Sequence, residues 1–193
     1  VEVAVISKGK LARTARIARR SSLLALLVGA SQAFGLQSAY AAKISSNYGT
    51  TCQVLENSHI KCWGDGKAGQ LGDGKTQNFS PPVEVVGSAT ATSVSVGYES
   101  ACATLQSGQV DCWGRNAHGQ LGNGSAAAES NTPVAVFGIT TATEVSVGYE
   151  SACATLANGH VDCWGLNAHG QLGNSSASTE SKTPVEVEGI TTA

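Results

Sequence analysis

Beyond the first forty residues, the apolar positions recur at strand spacing, and no segment has a helical period. In the middle of the chain, short runs rich in Val, Ala, Cys and Thr occupy Ser93–Val96, Ser100–Leu105, Gln109–Trp113 and Pro133–Phe137. Gly97, Ser107-Gly108 and the long Gly114–Thr132 stretch separate them, so each run reads as one strand. Leu105-Gln106-Ser107-Gly108-Gln109 has the composition of a tight hairpin, with Gly108 supplying the positive φ that the turn requires.

The pattern repeats. Residues 93–142 and 144–193 align without a gap, and 39 of 50 positions are identical. The shared frame runs Val-Ser-Val-Gly-Tyr-Glu-Ser-Ala-Cys-Ala-Thr-Leu, then Val-Asp-Cys-Trp-Gly, then Asn-Ala-His-Gly-Gln-Leu-Gly-Asn. A more divergent copy lies upstream, with Tyr48, Cys52, Cys62-Trp63-Gly64 and Gly69-Gln70-Leu71-Gly72 in register, preceded by a short strand over Lys43–Ser46. Tryptophans at 63, 113 and 164 set a period of about 50, in the range of propeller blades and solenoid units. Four short strands per unit at this period predict an all-β partial β-propeller of three four-stranded antiparallel blades. The units are 42–92, 93–143 and 144–193.

Charge divides the chain into a basic head and an acidic body. Six of the twelve basic residues lie in the first twenty, whereas residues from Ala42 onward hold six basic and thirteen acidic residues, a net of −7. An acidic body argues against a nucleic-acid-binding surface, because phosphate contacts dominate that affinity. The head (1–41) has a basic n-region (1–20), an apolar core (23–36) and small residues at Ala39 and Ala41. It reads as a helical secretory signal cleaved after Ala41. Secretion, to the periplasm, the cell surface or the medium, is the expected destination. Arg19-Arg20 raises twin-arginine export, and a mitochondrial presequence shares the same composition. No run of eighteen uncharged apolar residues exists, so no membrane span is expected in the mature chain.

The six cysteines stand ten apart within each unit: Cys52 and Cys62, Cys102 and Cys112, Cys153 and Cys163. Folding the hairpin about Ser107 sets Cys102 opposite Cys112, where cross-strand Cβ atoms lie ~4.5–5.5 Å apart. Pairing within each unit is therefore the natural disulfide set, in keeping with an oxidising compartment. Six buried reduced thiols are the alternative. Zinc fits poorly, since its ligands normally follow Cys-x₂₋₄-Cys and no His recurs beside the pairs.

The string from Gly97 to Gly124, with Cys-Trp-Gly and Gly-Gln-Leu-Gly present three times, closely resembles the regulator of chromosome condensation repeat. It looks most like the cysteine-paired version found in bacterial secreted proteins. The resemblance covers 43–193 and implies a propeller that normally has seven blades. It also implies a binding function: nucleotide exchange on a small GTPase, chromatin contact, or protein inhibition by one propeller face. No exchange-factor residue carries over, and Ser100, Ser151 and Thr50 stand where the family usually has His.

Candidate residues sort by whether they recur. Trp63, Trp113 and Trp164, with Gly64, Gly114, Gly165, Leu71, Leu121 and Leu172, recur in frame and read as the packing core between blades. Glu99, Glu150, Asp111 and Asp162 recur too and read as solvated turn and strand-edge charges; His118 and His169 read as solvated loop residues. Gly69 to Thr76 matches the phosphate-binding G-x₄-G-K-[ST] string, but Gln77-Asn78-Phe79-Ser80-Pro81-Pro82 cannot start the helix that this chemistry needs. No cofactor and no metal are expected. Units two and three differ mainly in loops, and the candidate binding surface is Arg115, His118, Leu166 and His169. The sequence thus predicts an exported, non-catalytic scaffold that binds a protein or glycan. The alternatives are an exchange-factor-like regulator, by family analogy alone, and an exported hydrolase, for which no singular Ser/His/Asp or paired-acid site exists. No polar cap is apparent at either flank, so further blades of the same chain, or self-association, are expected to cover them.

Overall fold

The computed structural model describes residues 43–193; the expected signal segment, 1–41, lies outside them. Twelve strands form three antiparallel sheets, each in chain order. Blade 1 is β1 (Ile44–Asn47), β2 (Thr50–Val54), β3 (Ile60–Gly66) and β4 (Gln77–Glu84). Blade 2 is β5 (Ala91–Val96), β6 (Ser100–Leu105), β7 (Val110–Arg115) and β8 (Glu129–Ala135). Blade 3 is β9 (Ala142–Val147), β10 (Ser151–Leu156), β11 (Val161–Leu166) and β12 (Glu180–Glu186). The first strands of the three blades are neighbours and form the inner edge; β4, β8 and β12 form the outer one.

The outer strands begin earlier than the sequence suggests. Pro133 reads as a strand start, yet the ladder extends back through Gly114↔Ser130 and Arg115↔Glu129, past an irregularity between Cys112 and Gly114. Proline is tolerated here because an edge strand need not donate on its open side. Pro81 and Pro82 in β4 fall in the irregularity between Cys62 and Gly64, where neither is a paired position of the ladder.

Cys52↔Cys62, Cys102↔Cys112 and Cys153↔Cys163 are directly opposed across the β2–β3, β6–β7 and β10–β11 pairs. All three pairs are disulfides, with Cα separations of 4.1, 4.0 and 4.0 Å. These are spacings of the closer, non-hydrogen-bonded kind of antiparallel pair.

The core lies between blades rather than within them. Alternation along each strand sends the cysteines to the face toward the following blade. That forward face of blade 1 (Cys52, Val54, Ile60, Cys62, Leu71, Val85) packs on the backward face of blade 2 (Val94, Val96, Ala101, Ala103, Trp113). The next interface repeats it, with Cys102, Val110, Cys112, Leu121 and Val136 against Val145, Val147, Ala152, Ala154 and Trp164. In each interface one of the side-chain hydrogen bonds comes from the buried tryptophan. A serine hydroxyl on the inner strand accepts another, Ser45 from Val96 N and Ser95 from Val147 N. Trp113 Nε1 donates to the Gln70 carbonyl and Trp164 Nε1 to the Gln120 carbonyl, each at 2.9 Å. Both indoles are fully buried. Glycine is required beside them: Gly122 has φ +63°, and a Cβ there would sit 2.8 Å from the Trp164 ring.

The outward faces of the arc differ from the expectation of two uncapped flanks. On blade 1 the backward face carries Ile44, Ser46, Thr51, Gln53, Lys61 and a half-buried Trp63. It is a polar version of the buried faces. On blade 3 the forward face keeps the apolar set, with Leu172 buried and Cys153, Val161 and Val187 half-exposed.

Two measurements check this layering. Trp164→Phe keeps the ring but orphans a buried carbonyl, and is expected to cost about 1–3 kcal/mol in denaturant unfolding, whereas Trp63→Phe is expected to be nearly neutral. Cys52–Cys62 and Cys102–Cys112 are fully buried, whereas Cys153 is half-exposed. Limiting reductant followed by alkylation and mass spectrometry is therefore expected to label Cys153 and Cys163 first.

Candidate functional site

The turns that follow the three inner strands bring Tyr48, Tyr98 and Tyr149 together. Tyr98 and Tyr149 stack with centroids 4.4 Å apart and planes at 15°, and Tyr48 meets Tyr98 edge-on at 4.9 Å. In blade 1 the residue pair Tyr48-Gly49 forms the whole turn, with φ of 42° and 85°, the left-handed pair of a two-residue hairpin. Tyr48 and Tyr149 are 67% and 55% exposed, so the cluster is an open aromatic surface rather than core. The sequence reading gave these tyrosines no role, although their recurrence at one frame position was the available signal.

At the same end of the blades, ionic groups join blade 2 to blade 3. Arg115, at the end of β7, donates from Nη1 to Glu99 Oε2 at 2.9 Å, and its Nη2 lies 3.7 Å from Glu150 Oε1. His118 Nε2 lies 3.7 Å from the other Glu150 oxygen, and its Nδ1 is 3.2 Å from Glu180 Oε2. Arg115 and His118 are thus brought together around one carboxylate. The hydrogen bond to Glu99, helped by the charges of Glu99 and Glu150 against the effect of burial, makes the Arg115 guanidinium more basic than usual. Its Nε is buried without a partner.

The other two candidate surface residues are not part of this network. Leu166 replaces Arg115 on blade 3, and the His169 ring is exposed with no ion-pair partner among the described residues. The solvated reading of the recurring acids is corrected: the Glu150 side chain is only 11% exposed, because Arg115 and His118 cover it. The His118 side chain remains 35% exposed while it lies against Glu150 and Glu180, and His169 is exposed. Asp111 shares the backward face of Trp113, and burial raises its carboxyl pKa; Asp162 is raised by burial and by Glu186, with His160 opposing.

The loops behind this rim are built by amides that sequence reasoning passed over. Asn116 donates to the Ser125 and Ala127 carbonyls while its Oδ1 accepts from Leu121 N; Asn167 does the same with Ser176, Ser178 and Leu172. The side-chain oxygens of Gln70, Gln120 and Gln171 each accept the amide two residues upstream, which shapes the turn that offers the Trp acceptor. Gly114, at φ +98°, is needed because a Cβ would fall 2.3 Å from the Glu99 carbonyl, the acceptor of Arg115 N.

Between blades 1 and 2 the rim opens into a cleft of about 300 Å³, lined by Lys67 and Ala68 on one side and Glu99, Arg115, Ala117, Ala128 and Glu129 on the other. The phosphate-loop-like string is not a phosphate cradle. Its Gly74 amide donates to the Asn131 carbonyl at 2.9 Å, and the chain continues into strand β4 rather than a helix. Among the described residues, no group of three or more His, Cys, Asp or Glu is placed to hold a metal, and no helix is long and apolar enough to cross a membrane.

Four-stranded sheets laid side by side with their first strands inward define a β-propeller repeat protein. Residues 62–104 and 107–155 match one Regulator of chromosome condensation (RCC1) repeat model, and 91–120 and 142–171 match a second. Together they cover more than half the chain, which belongs to the RCC1 repeat family. Among solved structures, human WBSCR16 aligns at 20% identity and TM-score 0.69, over 79% of this chain and 39% of its own. Yeast RCC1 (Prp20), crystallised with Kap60, aligns at 17% identity and TM-score 0.69, over 80% of this chain and 38% of its own. The chain spans about two fifths of these neighbours, and at such identities the likeness shows the fold alone. No curated protein matches the sequence.

The raised Asp111 pKa has a definite pH consequence. Folding disfavours its charged form, so its ionisation removes stability as pH rises through the folded pKa, and no penalty remains below the unfolded value of ~3.9. Asp111→Asn is expected to stabilise the protein at pH 7 by a few tenths of a kcal/mol after solvent screening. The gain over wild type is expected to vanish near pH 3, as followed by thermal unfolding at both pH values.

Proposed function

We propose that this chain is an exported, non-catalytic scaffold that binds a protein partner through the end of the arc bearing the tyrosines. The observation that carries this reading is the exposed cluster of Tyr48, Tyr98 and Tyr149, one ring from each blade, beside the Arg115–Glu150–His118 network. Aromatic rings and arginine are the side chains that anchor protein interfaces, since they offer large contact area at small entropic cost. Blade 2 and blade 3 share their scaffold residues but differ at Arg115/Leu166 and across Gly124–Asn131, so the chemistry varies at this rim while the frame holds. Export is supported by the basic head, the apolar core and Ala39/Ala41, and by three disulfides, which persist in oxidising compartments. Yeast RCC1 is a propeller crystallised with a protein partner, Kap60, which illustrates the kind of use proposed.

Cross-linking of the exported chain in its native extracellular fraction, read by mass spectrometry, tests the reading. Partner cross-links are expected at the Tyr98–Arg115–His118 end and are expected to fall at least tenfold in the Tyr98→Ser/Arg115→Ala double variant. Cross-links centred on the opposite end, around His59 and Glu84, or unchanged by the double variant, overturn it.

A further inference from the structure

The two blade junctions are built from one frame, and at the rim they differ in what faces their carboxylates. At the junction of blades 2 and 3, the loop after β7 carries His118 across to blade 3. Its Nε2 lies 3.7 Å from Glu150 Oε2 and its Nδ1 lies 3.2 Å from Glu180 Oε2, so one imidazole spans two carboxylates. Arg115 lies 3.7 Å from the other Glu150 oxygen. At the junction of blades 1 and 2, Glu99 and Glu129 hold the frame positions of Glu150 and Glu180, and Ala68 holds that of His118. No imidazole is present there. The cleft of about 300 Å³ opens at the equivalent place, with Ala68, Glu99 and Glu129 in its lining.

The carboxylates of this cleft are short of partners. Arg115 takes Glu99 Oε2 at 2.9 Å, and Glu99 Oε1 has no hydrogen bond among the described residues. Glu129 is exposed, and its carboxylate pairs with nothing among the described residues. Blade 1 has Asp65 at the frame position of Arg115, so no arginine reaches Glu99 from blade 1 as Arg115 reaches Glu150 from blade 2. The Asp65 carboxylate instead accepts the Lys67 amide at 3.2 Å. Lys67 supplies the one ammonium in the lining, on an exposed side chain that makes no ion pair with Glu99 or Glu129. The remaining wall is methyl groups, from Ala68, Ala117 and Ala128, which leave the space beside the carboxylates open to a flat group.

We propose that this cleft binds a planar cation, the guanidinium of an arginine projecting from a protein partner, which takes at Glu99 and Glu129 the place that His118 takes at Glu150 and Glu180. His118 is held by its own chain and needs no charge to stay in position. A group arriving from outside has to be held by its charge. Histidine, with an ordinary pKa of ~6.5, is mostly neutral at pH 7. Guanidinium is always charged, and it presents its N–H donors in one plane, as two separate carboxylates require. A lysine ammonium is a compact, strongly hydrated point charge that does not bridge them in the same way. That the arginine belongs to a protein rests on the partner-binding reading of this end of the arc; the preference of the cleft for guanidinium does not.

Two short peptides, acetyl-Gly-Arg-Gly-amide and acetyl-Gly-Lys-Gly-amide, test this when titrated into the full chain at low ionic strength, with backbone amide NMR shifts as the readout. Both carry the same charge, so general attraction to an acidic body cancels between them. The arginine peptide is expected to bind roughly threefold more tightly or better. It is expected to move the amides of Ala68, Glu99 and Glu129 while those of Glu150 and Glu180 stay in place. Ala68→His puts the side chain of unit two into the cleft and is expected to abolish the preference. Glu129→Gln, on an exposed side chain, is expected to do the same and decides the matter if Ala68→His does not fold. Equal behaviour of the two peptides, whether both bind or neither does, overturns the proposal, as do shifts centred on Glu150 and Glu180 or a preference that survives these variants. The peptides need no natural partner, so a failed cross-linking experiment leaves this preference measurable, and a missing preference leaves the cross-linking result standing.

Discussion

Everything in this molecule depends on one layer, the apolar sheet-to-sheet contact fastened by a tryptophan on a neighbouring carbonyl. A single four-stranded blade of about forty residues has no interior of its own, since its apolar side chains are divided between two faces. Only when a second blade arrives do Cys52, Ile60 and Leu71 find Ala101, Ala103 and Trp113. The indole nitrogen then fixes registration, because its acceptor is a backbone carbonyl held by the turn that Gln70 or Gln120 shapes. Folding is therefore a property of blade pairs, and small residues at positions 101, 103, 152 and 154 allow the close approach.

Much of this was legible in the sequence. The Cys-Trp-Gly and Gly-Gln-Leu-Gly strings set the period, the strand count and the disulfide partners, because hairpin geometry and a ten-residue spacing leave little freedom. The outer strands were less legible, since Pro133 hides a ladder that resumes on its far side at Ser130 and Glu129. The polar face of blade 1 was written in Thr51, Gln53 and Lys61, but recognising it needs the knowledge of which alternate residues face which neighbour. Strand pairing supplies that, and a repeat alignment does not.

The rim was the least legible region, and for a physical reason. Tyr48, Tyr98 and Tyr149 are some fifty residues apart in the chain and meet only because the inner strands lie side by side. Arg115 and His118 were marked because they lie in or beside the changing loops, yet the group that unites them, Glu150, belongs to the constant frame of the next blade. A residue shared by units two and three, as Glu99 and Glu150 are, looks like scaffold from the sequence. At a junction between blades the same residue becomes half of a site: Glu99 and Glu150 share Arg115, and Glu150 also meets His118.

The placement of the disulfides also bears on how this protein responds to tension. Each bond closes a hairpin within one blade, with a sequence separation of ten, and none links one blade to another. Pulling on the chain ends therefore loads the noncovalent layers between blades and the ladders that hold each blade's inner and outer strands, while the two middle strands stay clipped. Each detached blade would release its length less the stretch shortcut by its disulfide, about 35 Å for ten extended residues. What tension cannot open is the middle hairpin of each blade, so the shortest-range pairing of every repeat survives the loss of all the longer-range ones.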